Sequence, residues 1–306
     1  MTEKNMAASV RQRLLNRAHA EKQDSQRLLV RYAIERFLYR LSQSPMRNRF
    51  ILKGAMLFAL WSKQPFRSTG DLDLLGFGAN EIASLQDAFM SICRQHVPDD
   101  GLTFDPDSVQ AEVMREEEEY QGARIRLNAK LGSAIIAVQI DIGHGDAVYP
   151  EPQTIDYPRL LEDFPPANIR AYCPETVIAE KLEAMVRFGD LTSRIKDHYD
   201  IWALSRTFSF SKTALLSSIV STFRRRGTAL ASSMPVALTS DFASRRDKQA
   251  QWDGFLRRTT PTLTPPSFAE VLGDLRRFIE PIIAASGEGE KTAGGQWTPH
   301  DGWRGA

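Results

Sequence analysis

The chain has 306 residues, 42% apolar and 25% charged, with a formal net charge of +1. Those proportions suit one large or two ordinary globular domains and exclude a collagen-like, disulfide-stapled or wholly disordered polypeptide. No apolar run approaches the roughly 18 residues of a membrane span, and the charged stretch Met1 to Ala20 has no signal-peptide core. Cys93 and Cys173 form no C-x-x-C pair, so two packed or free thiols in a reducing cytoplasm are expected, with no membrane partner.

Residues 5–42 predict a helix, because Leu28, Leu29, Tyr32, Ala33, Phe37, Leu38 and Leu41 recur at helical spacing. Phe50 to Leu52 is a short apolar burst leading into a turn at Lys53-Gly54, and Ala55 to Trp61 predicts a buried helix. Asp71 to Leu75 alternates as a strand closed by Gly76-Phe77-Gly78, and Asn80 can cap a helix to about His96. Residues 123–131 and 134–142 alternate on either side of Gly132-Ser133, which predicts an antiparallel hairpin. The acidic run 116–119 before it predicts a solvated loop or hairpin end. The proline-rich stretch 149–174 predicts a connector holding the domain boundary. Helices are then expected at 174–188, 193–206, 210–224, 247–258 and 267–284. The polar tail 287–306 predicts disorder. Residues 206–286 hold 12 Lys/Arg against 6 acids, a local bias that suits a polyanion.

The central chemical feature is Asp71-x-Asp73. On a strand, residues i and i+2 share a face, so the two carboxylates stand side by side with Leu72 and Leu74 behind them. Their mutual repulsion is removed by a divalent cation, and hard oxygen ligands suit Mg²⁺. A pair of this kind at a strand end serves metal-assisted phosphoryl transfer. The Lys53-Gly54-Ala55 turn into a helix offers backbone N–H groups to a phosphate. Arg67, Ser68 and Thr69 add a positive charge and two hydroxyls immediately before Asp71. Asp141 faces away from Ile140 and Ile142 and is a candidate third carboxylate, as a further ligand or the base for an attacking hydroxyl; His144 and Asp146 are substitutes for it.

A second cluster is helical: Glu180-Lys181-Leu182-Glu183-Ala184, then Arg194 to Ile201. Arg194, Asp197 and His198 fall at i, i+3 and i+4 on one face, and Asp197 and Asp200 also share a face. Lys181 can reach a triphosphate as a point charge, with Asp197 or Asp200 orienting Lys181 or Arg194. An ion-pair network between two amphipathic helices is the alternative.

Taken in order, Leu52-Lys53-Gly54-Ala55, Arg67 to Asp73, Glu180 to Ala184 and Arg194 to Asp200 resemble the AbiEii/AbiGii nucleotidyltransferase toxins. These belong to the DNA polymerase β-like nucleotidyltransferase superfamily and include the MenT toxins. The resemblance covers about residues 25–210. It implies an α+β fold: an N-terminal polymerase β-like domain, a small mixed sheet with flanking helices, over 1–160. A mainly helical domain over 161–286 would follow, carrying the Lys and Asp motifs and the basic surface.

By residue, the resemblance makes Asp71 and Asp73 the Mg²⁺-binding carboxylates and Lys181 the nucleotide-phosphate lysine. Asp197 and Asp200 take the downstream acidic motif. Ser68 or Thr69 takes the hydroxyl position near the triphosphate, beside Lys53, Gly54 and Arg194 on the nucleotide side. The superfamily often carries Gly-Ser at the first motif; here it is Gly54-Ala55, so Ser68, Thr69 or the backbone must supply that contact.

The function implied is the toxin of a toxin–antitoxin or phage-defence pair. It would transfer a nucleotide from an NTP, CTP or UTP favoured and GTP possible, to the 3′ acceptor end of tRNA and so block aminoacylation. A cognate winged-helix, AbiEi-like antitoxin is the implied protein partner, and residues 206–286 would face the tRNA. Alternatives are a nucleotidyltransferase that modifies a protein or small molecule, or a nucleotide-binding regulatory module without turnover.

Overall fold

The computed structural model describes residues 5–62, 66–67, 69–116, 120–230, 233–259, 261–286 and 294–305, with the side chains of 115, 116, 120 and 121 left aside. The chain forms two compact units, one of residues 1–63, 69–145 and 153–171, the other of 64–68, 146–152 and 172–306.

The first unit holds α1 (Met6–Ala20), α2 (Ser25–Gln43), β1 (Phe50–Lys53), α3 (Phe58–Trp61), β2 (Asp71–Gly76), α4 (Ile82–Cys93), β3 (Leu102–Glu116), β4 (Tyr120–Leu131), β5 (Ala134–His144), β6 (Gln153–Asp156) and β7 (Asn168–Ala171). Its strands make one seven-stranded mixed sheet in the order β3-β4-β5-β2-β1-β7-β6. The pairs β2–β5 and β1–β7 are parallel and the rest antiparallel.

The helix expected over 5–42 is two helices. Asn5 and Asp24 each accept an N–H bond at a new N-cap, and Lys22 sits at φ 52, outside helical geometry. The interior face of α2 is lined by Tyr32, Ile34, Phe37 and Leu38, all fully buried. Beside them Arg36 and Arg40 converge on buried Asp100, at 2.9 and 2.8 Å. Such a pairing keeps three charged groups tolerable in the interior.

Three further expectations change. Gly54 to Trp61 is a 3-10 turn (Gly54–Leu57) followed by the single turn of α3, and the N-cap of α4 is Glu81, not Asn80. The sheet is larger than the sequence suggests, because β3 pairs along β4 through a register shift between Asp105 and Gln110 that blurs its alternation. The proline-rich stretch is no plain connector, since it supplies β6 and β7. Residues 117–119 of the acidic run lie outside the described residues.

The second unit holds α5 (Pro174–Phe188), α6 (Ile195–Thr207), β8 (Phe210–Ser211), α7 (Lys212–Arg225), α8 (Ser240–Ser244), α9 (Arg246–Thr259), α10 (Phe268–Ser286), β9 (Gln296–Thr298) and β10 (Gly302–Arg304). Pro174 takes the first turn of α5, where its missing N–H costs nothing. Disorder does not extend over 294–305, where β9 and β10 form a hairpin that pairs with β8. Its anchors are aromatic: Trp297 lies edge-on to Phe278 at 4.8 Å and Trp303 stacks on Phe278 at 5.9 Å. Residues 287–293 lie outside the described residues. Cys93 and Cys173 are buried free thiols. No helix among the described residues is long and apolar enough to cross a membrane.

Candidate active site

On β2, Leu72 and Leu74 are buried while Asp71 is exposed and Asp73 half-buried, so the two carboxylates share the other face. Register then brings in residues distant in sequence. Asp73 stands opposite Asp141 of parallel β5 on one side and Lys53 of β1 on the other. Asp141 stands opposite Arg124 of β4, and Arg124 opposite Glu112 of β3. Five neighbouring strands therefore carry Glu112, Arg124, Asp141, Asp73 and Lys53 in one row, with charges −, +, −, −, +.

Arg124 binds Asp141 with two prongs, Nε to Oδ1 at 2.7 Å and Nη2 to Oδ2 at 2.8 Å. That bond raises the Arg124 pKa, against the opposing effect of burial. Asp141 is thus present beside the pair but committed to a guanidinium. Among the described residues no group of three or more His, Cys, Asp or Glu side chains is arranged to hold a metal.

Gly54 explains the turn between Lys53 and the 3-10 helix. It sits at φ 73, and a Cβ there would overlap the Asp73 carboxylate. Glycine is required on both counts: it takes the left-handed backbone and leaves room for Asp73. The Gly54 turn is therefore built around a carboxylate, not only around open N–H groups. Thr69 Oγ1 lies 3.4 Å from the Asp71 backbone N, so its hydroxyl serves the entry to β2. Ser68 lies outside the described residues.

These residues fit Mg²⁺ of the kind held by one or two carboxylates, with the remaining positions left to water and substrate phosphate. Asp71 and Asp73 would supply the carboxylates, and Gly54 packs closely against Asp73. Asp141, opposite Asp73 and paired with Arg124, is placed where it could serve as a base or as a further ligand.

In the second unit, the helical motifs close into a buried ion quartet. Lys181 Nζ lies 2.5 Å from Asp197 Oδ1 and 2.8 Å from Asp200 Oδ2. Arg67 adds a two-pronged bond to Asp200, Nε to Oδ1 at 2.7 Å and Nη2 to Oδ2 at 2.8 Å. Burial by itself would raise the Asp200 pKa, but Arg67 and Lys181 outweigh it and hold the carboxyl down to about 2. Burial by itself would lower Lys181, and Asp197 and Asp200 outweigh that, leaving its pKa raised. Two cations meet two anions, so both helix-borne acids orient Lys181.

Arg194 is the N-cap of α6 and not part of its face, and its guanidinium lies 5.3 Å from the Phe188 ring centroid. His198 is fully buried; Nε2 lies 2.9 Å from Ala237 O, and the ring packs between Phe242 and Phe268. The shared face expected of Arg194, Asp197 and His198 is thus divided between a cap, an ion pair and a core contact.

The substitutes for Asp141 are placed elsewhere. Asp146 accepts from Arg226 Nη2 at 2.9 Å. His144 lies three register positions along β5 from Asp141, opposite Gly76, with both ring nitrogens buried and without a protein partner. Arg226, which sequence reasoning did not single out, also bonds Glu183 at 2.7 Å and lies 3.6 Å from Glu180. It accounts for both acids that flank Lys181 on α5. Arg124 and Arg67 are the other residues whose importance the sequence understated: alternation in 123–131 puts Arg124 on the polar face, but nothing local names its partner.

The basic bias of 206–286 is partly neutralised. Arg226 is committed as above, Arg245 pairs with Asp190 and Asp247, and Arg277 pairs with Asp274. Lys248 is buried and donates to Thr192 O at 2.7 Å. Arg224, Arg225, Arg246, Arg257 and Arg258 remain exposed.

A paired carboxylate face thus stands beside a close-packed glycine turn on a mixed sheet. The chain matches the family model described as nucleotidyl transferase AbiEii toxin, type IV TA system, over residues 36–274, and it belongs to that family. Membership implies an antitoxin partner. No curated protein matches the sequence. Among solved structures, a candidate nucleotidyltransferase from Helicobacter pylori is similar in fold, with TM-score 0.50 and 14% identity, covering 87% of this chain and 98% of that one. JHP933 from Helicobacter pylori gives TM-score 0.49 and 15% identity, covering 87% of this chain and 95% of that one.

Proposed function

We propose that this chain is an Mg²⁺-dependent toxin that transfers a pyrimidine nucleotide from CTP or UTP to the 3′ acceptor end of tRNA. The single observation that carries the catalytic part is the placement of Asp71 and Asp73 on one sheet face with Gly54 packed against Asp73. Family membership supports the nucleotidyl-transfer class. The tRNA acceptor, the base preference and a winged-helix, AbiEi-like antitoxin rest on the resemblance to the MenT toxins.

In the proposed reaction the tRNA 3′-hydroxyl attacks the α-phosphate of the NTP. A bond forms between that oxygen and the α-phosphorus, the α–β bridge breaks, and pyrophosphate leaves. Asp71 and Asp73 would hold Mg²⁺, whose chemistry here is to lower the hydroxyl pKa and offset charge on the phosphates. Asp141, oriented by Arg124, takes the hydroxyl proton. Lys53 stands beside Asp73 on the same face and contributes positive charge for the incoming phosphates. The resemblance assigns Lys181, kept protonated by Asp197 and Asp200, and Arg194 to the phosphates of the nucleotide. Thr69 keeps the entry to β2 in place.

The test is an incubation of the chain with total tRNA, Mg²⁺ and each α-³²P-labelled NTP in turn, beside the Asp73→Ala variant. Label on tRNA from CTP or UTP, absent with the variant, is the expected result. Label on a protein instead of RNA would replace the tRNA acceptor with a protein hydroxyl. Absence of label from every acceptor would overturn the enzymatic reading.

A further inference from the structure

We propose that the sheet end formed by Arg47, Arg49, Phe77 and Arg170 in the first unit is a binding surface for a single-stranded RNA segment, with a base stacked on Phe77 and phosphates on the arginines. The proposal deepens the RNA-directed reading above and names a surface that the basic composition of 206–286 does not include.

An exposed aromatic ring next to arginines can stack on a base while the guanidiniums take phosphates. Phe77 follows β2 and is 42% exposed. It stands where β1 begins and β2 ends, because Phe50 pairs with Gly76. Two arginines contact it, and a third lies two residues before Arg49 in the chain. The Arg170 guanidinium lies 5.9 Å from the Phe77 ring centroid, and its Nη1 donates to Asn48 O at 3.3 Å. Arg49 Nε donates to Phe77 O at 3.3 Å, and Arg49 Nη2 donates to Ala79 O. Arg47 is exposed in the 3-10 turn Pro45–Asn48.

The bonding of these guanidiniums decides the ligand. Arg49 and Arg170 are fixed by backbone carbonyls, which orient them without cancelling their charge. Among the described residues none of the three arginines pairs with a carboxylate. Contrast Arg226, Arg245 and Arg277, each of which does. An arginine has five N–H donors, so Arg49 and Arg170 each keep donors for an anion. Fixed cations around an exposed ring form the combination that binds single strands: stacking on the ring, charge on the backbone, little base readout.

The test uses the full chain carrying Asp73→Ala, so that binding is read without turnover. Fluorescence anisotropy with fluorescein-labelled total tRNA is compared between this parent and the same chain with Phe77→Ala, Phe77→Trp or Arg49→Gln/Arg170→Gln added. Phe77→Ala should weaken binding on the order of tenfold, and Phe77→Trp should restore it. The double glutamine variant should flatten the fall of log K with log salt by about 1 to 2. Thermal melts that match the parent separate these effects from misfolding. Affinity unchanged by Phe77→Ala in a folded protein overturns the surface.

The failure of the RNA-transfer reading looks different. If the Asp73-intact protein labels no RNA while anisotropy still depends on Phe77, the surface stands and tRNA as acceptor falls. If label enters tRNA and Phe77→Ala leaves the KM for tRNA unchanged, tRNA stands as acceptor and the surface falls.

Discussion

Arg67 grips Asp200 with two charge-assisted hydrogen bonds, at 2.7 and 2.8 Å, across 133 residues of sequence. The same carboxylate receives Lys181 at 2.8 Å and is fully buried. Asp200 is therefore the anchor of a neutral quartet, and Arg67 lies four residues before Asp71 in the chain. Removing a buried member of such a set leaves its partners charged and unpaired, a loss of about 3–5 kcal/mol. Asp200→Ala should lower the unfolding free energy by that order, whereas Asp73→Ala, at a half-buried position, should cost clearly less. Chemical unfolding of the two variants beside the parent checks the contrast. Equal stability of all three would remove Asp200 from its anchoring role.

Gly54→Ala makes a sharper statement than its size suggests. The new methyl group would overlap the Asp73 carboxylate and would sit at φ 73. A left-handed backbone alone costs a non-glycine residue on the order of 1–2 kcal/mol. Nucleotide transfer should be lost along with a modest drop in melting temperature. A fully active Gly54→Ala enzyme would show that Asp73 need not occupy its observed position.

Asp141 is oriented by Arg124 beside the carboxylate pair, and a general base is worth about 10²–10⁴ in rate. Asp141→Asn should lower kcat in that range while leaving the KM for NTP near the parent value. Steady-state kinetics with labelled NTP separates this from a ligand role, which would also raise the Mg²⁺ concentration needed for half-maximal rate.

Chelation gives a direct check of the carboxylate pair. EDTA should stop transfer and excess Mg²⁺ should restore it, because in the proposed site the two aspartates and the substrate phosphates would share the ion. Calorimetry should find Mg²⁺ binding weakened in Asp71→Asn as well as in Asp73→Asn. Transfer that persists in EDTA would refute metal dependence.

A pH effect on stability is expected from Glu35 in α2. Burial pushes its carboxyl up from 4.5 to about 7, against the opposing Leu160 N–H and Arg36. The folded carboxyl thus holds its proton more tightly than the unfolded one. Its contribution is complete below pH about 4.5 and is lost as the pH rises through about 7. The slope in that window approaches about 1.4 kcal/mol per pH unit. Glu35→Gln keeps an acceptor for the Leu160 N–H and should flatten this dependence in urea titrations at pH 5, 6 and 7. An unchanged slope would place the titration elsewhere.

The face that Asp71 and Asp73 share was legible without coordinates. Alternation of Asp71 and Asp73 with Leu72 and Leu74 defined which side each would take, because a strand repeats every two residues. Helical spacing likewise put Asp197 and Asp200 on one face, where both reach Lys181. Spacing said less where a helix boundary intervened: Arg194 became a cap, and His198 turned into the aromatic core. The basic C-terminal region was legible as composition, yet Arg226 went to Glu183 and Asp146.

Local order in the sequence determined the β4–β5 hairpin, most of the later helices, the polar face of β2 and the motif order that marks the AbiEii family. Tertiary structure alone decided that Asp73 meets Gly54 and Asp141, that Arg124 holds Asp141, and that Arg67 joins Lys181 on Asp200. Periodicity acts over a few residues and fixes which way a side chain points. Strand register and helix packing act across tens of residues to more than a hundred, from 17 for Arg124 and Asp141 to 133 for Arg67 and Asp200, and they are set by which apolar faces can be buried together. A charged residue finds its partner only after that burial is complete.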